Sequence, residues 1–87
     1  MNPEQIYQQL TELAEKLDIQ VSEQNFRTTG VPVKSGFCIV KGQQRYIIDK
    51  HLSISKKNHL LANFLGRFQL DNIFIVPKVR DFIKNQK

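Results

Sequence analysis

The side chains that most often carry chemistry are thinly spread in this sequence. His51 and His59 lie outside the i, i+4 spacing that brings two imidazoles onto one metal ion, and no HExxH or CxxC pattern accompanies them. The single cysteine, Cys38, lies within an alternating strand pattern, which predicts a small buried side chain rather than a nucleophile. The four glycines match no phosphate-binding pattern. We therefore predict that the protein is not an enzyme and that it holds no metal or cofactor.

The basic residues form the pattern that best suggests a ligand. The net charge is +5, and residues 1–25 are acidic whereas residues 26–87 are strongly basic. This asymmetry is typical of a surface for an anionic partner, but a domain with an acidic helix and a basic remainder gives the same balance. The candidate anion-binding or nucleic-acid-binding residues lie at the start and on the polar side of the second predicted helix: Lys56, Lys57, His59, Asn63 and Arg67. Lys41, Arg45 and Lys50 of the predicted hairpin would be outlying contacts.

The first predicted helix has clear boundaries. Asn2 can cap it, Pro3 suits its first position, and Gln5 stands where the partner residue of a capping box belongs. Apolar residues then recur at spacings of three and four as far as Leu17, so the helix should end near Leu17 or Asp18.

The rest of the chain alternates strand and helix patterns. Ile19 and Val21 indicate a short half-buried strand, and a loop is predicted over 25–36. A hairpin is predicted from strands 37–41 and 45–49 with the turn at 42–44. Two serines, Ser53 and Ser55, could each cap the second helix. An extended run, 73–76, precedes a terminal helix that Pro77 opens, with Val79, Phe82 and Ile83 facing inward.

These elements predict a single domain, residues 1–87, of the α+β class. The expected order is α-β-β-β-α-α, with a small antiparallel three-stranded sheet and the helices packed on one of its faces. The N-terminus lacks the cationic and apolar pattern of a signal peptide, and no apolar run is long enough to span a bilayer. We therefore expect a cytoplasmic protein without a membrane partner.

Two partial resemblances suggest what such a domain could be. A KLDIQV turn into a strand, a hairpin that ends YIIDKHLS and a helix of the LLANFLGRF type follow one another between Leu17 and Phe68. In this order they resemble the front half of a zinc metallopeptidase domain of the ImmA/IrrE kind. The HELGH motif of that family, which supplies two zinc ligands and the general base, falls on residues 63–67. Leu65 and Gly66 match it, while Asn63, Phe64 and Arg67 replace the ligands and the base. The resemblance implies a catalytically inactive relative that keeps the scaffold.

The closing segment RFQLDNIFIVPKVRDFI also resembles the tail of small uncharacterised bacterial proteins. The helix, three-strand, helix order with Ser55, Lys56 and Lys57 at the start of the second helix resembles the double-stranded RNA-binding domain. That resemblance implies lysines and a helix N-terminus meeting phosphates across a groove. The glycines that precede the lysines in that family are absent here, where the chain reads HLSI.

Two functions therefore stand beside each other. The first is a non-catalytic interaction or adaptor domain, which binds an unknown protein partner or a second copy of itself through an exposed strand edge. The alternative is a nucleic-acid-binding module that uses the basic side of the second helix.

Overall fold

The computed structural model describes residues 1–25 and 36–86, and the predicted loop lies largely outside these residues. It confirms the α+β class and the predicted order of elements. The elements are α1 (Pro3–Lys16), β1 (Ile19–Gln24), β2 (Gly36–Val40), β3 (Gln43–Asp49), α2 (Ile54–Leu65) and α3 (Pro77–Lys84).

The helix boundaries follow local capping chemistry. Asn2 and Gln5 form the predicted capping box, in which the backbone N–H of Gln5 donates to Asn2 Oδ1 at 2.8 Å. The helix α1 ends at Lys16, and Asp18 follows at φ 64°, the left-handed conformation that stops a helix. Ser53, and not Ser55, caps α2, because its hydroxyl accepts from the Lys56 amide at 3.2 Å.

The sheet is mixed rather than wholly antiparallel, which corrects one part of the prediction. Its strand order is β1-β3-β2. The strands β2 and β3 pair antiparallel, whereas β1 pairs with β3 in parallel, Val21 lying opposite Tyr46. Parallel neighbours need a long connection, and β1 is separated from β3 by the 25–35 connection and all of β2. The strand β3 can therefore take the central position, where it has a neighbouring strand on both edges.

The hairpin turn lies earlier in the chain than the sequence pattern predicted. Val40 pairs with Gln43, so the loop is Lys41-Gly42 rather than residues 42–44. Both loop residues have positive φ, 52° for Lys41 and 81° for Gly42, which defines a type I′ turn. Gly42 was correctly predicted to lie in the turn. The other turn residue is Lys41, which precedes it, because the twist of a two-residue type I′ turn matches that of the flanking strands.

The helices pack on one face of the sheet, as predicted. Side chains alternate along β3, and Tyr46 and Ile48 point toward the helices and are buried. They meet Ile19 of β1 and a group of helix residues from α1, α2 and α3: Leu10, Leu13, Ala14, Leu61, Ala62, Leu65, Val79 and Ile83. The run 73–76 forms no strand, although Ile75 is buried against this core. Phe82, predicted to face inward, is partly buried there.

Within residues 1–25 and 36–86, no helix has the length and apolar character needed to cross a bilayer.

Candidate functional site

Four of the five candidate anion-binding residues lie on one exposed side of α2 and its end. Lys56, His59, Asn63 and Arg67 are all exposed to solvent, as their spacing predicted. The two cations among them stand at opposite ends of this row. At a rise of ~1.5 Å per residue, Lys56 and Arg67 are about 16 Å apart along the helix. This row therefore offers single charges rather than a cluster that could hold one phosphate.

The fifth residue, Lys57, turns the other way and joins a cluster between three elements. Its ammonium nitrogen lies 2.8 Å from Glu23 Oε1 of β1, and Tyr7 of α1 donates to Glu23 Oε2 at 2.6 Å. The same nitrogen lies 6.0 Å from the centre of the Tyr7 ring. Only 13% of the Lys57 side chain is exposed, against 34% for Glu23. The charge of Lys57 is therefore already neutralised within the fold.

Proton affinities within this cluster follow from the same contacts. Burial alone would raise the pKa of the Glu23 carboxyl, but the hydrogen bonds from Lys57 and Tyr7 and the Lys57 charge outweigh it, so the pKa is lowered. Burial, together with the hydrogen bond to Glu23 and its negative charge, raises the pKa of the Tyr7 phenol well above its ordinary value. Tyr7 therefore stays a hydrogen-bond donor at neutral pH.

Two residues of this row, His59 and Arg67, also interact with other parts of the fold. His59 Nδ1 is hydrogen-bonded to Gln86 Oε1, and its ring centre lies 5.7 Å from that of Phe82. Arg67 lies near Tyr46, where its charge partly opposes the rise that burial causes in the pKa of the Tyr46 phenol. The row thus joins α2 to its neighbours while remaining open to water.

The hairpin bases do not extend this row. Tyr46 faces the helices, so Arg45 points to the opposite face of the sheet. Lys41 lies in the hairpin turn, and Lys50 follows the other end of β3, roughly 20 Å away at ~3.3 Å per residue. Lys41, Arg45 and Lys50 therefore do not converge with the α2 residues on one surface.

A second surface, which the residue-by-residue prediction missed, lies at the β2 edge of the sheet. Phe37 is 43% exposed and Ile39 is 64% exposed, and both point to the helix face. The Phe37 ring centre lies 5.7 Å from Phe64 of α2, and Phe68 meets Phe64 edge-on at 5.3 Å. We refer to Phe37, Ile39, Phe64, Phe68 and the outer backbone edge of β2 as the β2 surface. The sequence signal that could have found it is a strand run, GFCIV, with no charged residue and no proline.

The backbone of β2 has a defined set of outward-pointing groups. Val40 and Gln43 flank a two-residue turn, so they form a hydrogen-bonded pair, and pairs alternate from there along the hairpin. Cys38 and Gly36 consequently bond to β3. Phe37 and Ile39 direct their N–H and C=O groups away from β3, and within the described residues no other strand pairs with this edge.

Cys38 lies on the other face of β2 and is a half-buried free thiol, rather than the buried side chain that the strand pattern predicted. The helices cover only the opposite face, which is why a strand position did not guarantee burial. In the part of the chain that the structure describes, no group of three or more His, Cys, Asp or Glu side chains could hold a metal ion.

A groove of about 270 Å³ lies between the end of α2 and α3 and includes Gly66, Arg80 and Lys84 in its lining. Enclosed ligand sites commonly measure about 300–1,000 Å³. The Arg80 guanidinium donates to the carbonyl oxygens of Leu70 and Ile73 at 3.4 and 3.2 Å, so it holds the preceding loop in place. Arg80 is thus committed to the fold, which leaves Lys84 as the other cation in the lining of this groove.

No protein-family model matches the chain, and neither a curated protein nor a solved structure does. The resemblances to the metallopeptidase scaffold, to small bacterial proteins and to the double-stranded RNA-binding domain therefore stay predictions. The surfaces described above are the basis for a functional proposal.

Proposed function

We propose that this protein is a non-catalytic interaction domain that adds an extended strand of a protein partner to the outer edge of β2. The observation that carries the proposal is the β2 surface: an uncharged edge strand whose outward residues, Phe37 and Ile39, are exposed and apolar. An edge of this kind offers backbone hydrogen bonds for affinity and side-chain contacts for specificity.

The contrast with the other edge of the sheet supports the proposal. The strand β1 reads IQVSEQ, carries Glu23, and lies against α1. Such polar and charged residues are the devices that commonly protect edge strands from unwanted pairing. The strand β2 has none of them, and the Phe64 and Phe68 rings extend its apolar surface onto the helix layer.

The nucleic-acid alternative is less well supported by the geometry. Binding along a phosphate backbone depends on several cations on one surface. Lys57 is paired with Glu23, Arg45 points to the far face of the sheet, and Lys56 and Arg67 lie far apart. The row formed by Lys56, His59, Asn63 and Arg67 therefore serves as the comparison surface in the experiment described next.

The proposal is tested by selecting displayed random peptides against the intact chain, with counter-selection against the Ile39→Lys variant. Ile39 is 64% exposed, so the lysine is compatible with the fold, but it places a charge at the centre of the β2 surface. Synthetic versions of the enriched peptides are then titrated by fluorescence anisotropy. We expect apolar, β-branched sequences that bind in the micromolar range and that shift the amide signals of Phe37 and Ile39 in NMR spectra.

The matched control is Phe74→Lys, which removes another exposed hydrophobic residue, 77% exposed, away from the sheet edge. Peptides that bind the wild type and Phe74→Lys equally but lose affinity for Ile39→Lys support the proposal. Peptides that bind Ile39→Lys as tightly as the wild type overturn it. Binding of a labelled RNA duplex at physiological salt, if the Lys56→Glu, Arg67→Glu double variant abolishes it, would instead establish the nucleic-acid function.

A further inference from the structure

The nature of the added strand can be inferred from β2 itself, if the β2 surface is the binding site proposed above. We propose that the partner is a second copy of this chain, and that the two β2 strands pair antiparallel around a two-fold axis at Cys38. The two sheets would then form one continuous sheet with the helices of both copies on the same face.

The backbone groups of β2 are arranged for this register. Phe37 and Ile39 are the residues whose N–H and C=O groups point outward, and they stand symmetrically on either side of Cys38. A two-fold axis at Cys38 places Phe37 opposite Ile39 of the second copy, and Ile39 opposite its Phe37. Each of these is a hydrogen-bonded pair, so all the outward groups of both residues find partners.

The side chains are complementary to themselves in the same register. Phe37 and Ile39 both point to the helix face, so each cross-strand pair joins an aromatic and a β-branched side chain. Such pairs are among those that stabilise antiparallel sheets. Phe68, which borders Phe37 through Phe64, would approach the two-fold axis from the helix layer of each copy. The surface that is exposed in one chain is thus covered by the same surface of another.

Charge does not oppose the pairing in the described residues, despite the net charge of +5 on each chain. No residue of β2 is charged, and the described cations nearest to it are Lys41 in the turn and Arg45, which pairs with Cys38 from β3. In the proposed register the two Arg45 residues are three strand spacings apart, about 14 Å at ~4.8 Å per strand. In the proposed register the two Lys41 residues stand at opposite ends of the paired strands, about 20 Å apart at ~3.4 Å per residue. Both separations exceed the Debye length of about 8 Å at physiological salt.

Among the antiparallel registers of two β2 strands, only this one places Cys38 opposite Cys38. Cys38 faces Cys38 of the second copy as a non-hydrogen-bonded pair, in which the Cα atoms are about 4.5 Å apart. Disulfides span Cα distances of about 4.4–6.8 Å. Diamide, which takes up the two electrons and two protons that the thiols release, should therefore link the chains through Cys38.

The first measurement is sedimentation equilibrium of the intact chain under reducing conditions, from low micromolar to near-millimolar concentration. The contact is small, so we expect a dimer with a micromolar dissociation constant, and a mass that rises from 10.2 kDa toward twice that value. Ile39→Lys should raise the dissociation constant about tenfold or more, since it places one lysine in each cross-strand pair. Phe74→Lys should leave the constant unchanged.

The second measurement is diamide cross-linking at a concentration where the dimer is populated. The control chain combines Cys38→Ser with Phe74→Cys, which places a more exposed thiol outside the β2 surface. Random collision would link this control faster than the wild type. The proposed register predicts the reverse, and it predicts that Ile39→Lys slows the Cys38 link while circular dichroism stays native.

The outcomes separate this inference from the proposed function. A chain that stays monomeric at every concentration, or that links through Cys38 no faster than the control links, overturns self-pairing. If selected peptides still bind the β2 surface in that case, the interaction function stands with a different partner. If neither peptides nor a second copy bind there, both proposals are wrong.

Discussion

The Tyr7, Glu23 and Lys57 cluster allows a quantitative prediction about stability. Replacing Lys57 with Met keeps most of the apolar stem and removes the ammonium group. Exposed ion pairs contribute about 0.2–1 kcal/mol, whereas hydrogen bonds to charged groups contribute about 1.5–3 kcal/mol. The pair is only partly screened, with side-chain exposures of 13% and 34% and a separation of 2.8 Å. We therefore expect a coupling energy between Lys57 and Glu23 of about 1–2 kcal/mol.

A double-mutant cycle measures this coupling directly. Lys57→Met, Glu23→Gln and the double variant are unfolded in urea, and the coupling is the departure of the double variant from additivity. At 87 residues, a loss of 1.5 kcal/mol corresponds to a fall of roughly 6–12 °C in Tm. Lys56→Met is the matched control, because Lys56 is exposed on the same helix and makes no ion pair with the described residues. This substitution should change the free energy of unfolding by less than about 0.5 kcal/mol.

The pH dependence gives a second reading of the same cluster. The pKa of Glu23 is lowered in the folded state, so near its unfolded value of about 4.3 the native state binds fewer protons than the unfolded state. The contribution of Glu23 to the free energy of unfolding is therefore present above that pH and is lost as the pH falls through the folded pKa. The difference between the wild type and Glu23→Gln should shrink over this acidic window.

A result in which Lys57→Met and Lys56→Met are equally mild would refute the reasoning. It would mean that Lys57 is screened by solvent as fully as its neighbour. A coupling energy near zero, or a difference between the wild type and Glu23→Gln that stays constant from neutral to acidic pH, would lead to the same conclusion.

Two further predictions concern the sheet and its cover. Phe64→Ala removes a half-buried ring that stacks on Tyr46 at 4.3 Å and also contacts Phe37 and Phe68. We expect the free energy of unfolding to fall by about 2–3 kcal/mol, which is below the range for a fully buried Phe. A denaturation midpoint like that of the wild type would contradict this prediction. Lys41→Asn should stabilise the protein by about 0.5–1 kcal/mol, because Asn adopts the positive φ of this type I′ turn more readily than Lys. A lower Tm for this variant would show that the turn differs from the one described.

Local sequence signals predicted much of the local structure, although not the position of the hairpin turn, which lies at Lys41-Gly42 rather than at residues 42–44. The start of α1 could be read from Asn2 and Gln5, because a capping box is made by residues three apart and depends on nothing distant. The exposed side of α2 could be read in the same way, since helical periodicity places Lys56, His59 and Asn63 on one side. The serine that caps α2 could not, since Ser53 and Ser55 are equivalent to any local rule.

The sequence also left the contacts between distant segments undetermined. Lys57 belongs to the same run of polar residues as Lys56. Only the packing of β1 near α2 places the Lys57 side chain beside Glu23. The parallel pairing of β1 with β3 likewise depends on which strand takes the centre of the sheet. Each of these outcomes is decided by packing between segments far apart in the chain.

The sequence by itself determined the elements of this protein, their order and the sides of the helices that face water, because caps, turns and periodicity act over a few residues. Only the tertiary structure decided which charges are paired and which edge of the sheet has no neighbouring strand among residues 1–25 and 36–86. Charges become neutralised when distant segments meet, as at Glu23 and Lys57. The strand order places β2 outside β3, where none of the described strands covers its outer edge. A binding surface is what packing leaves uncovered, and that property belongs to the whole chain rather than to any stretch of it.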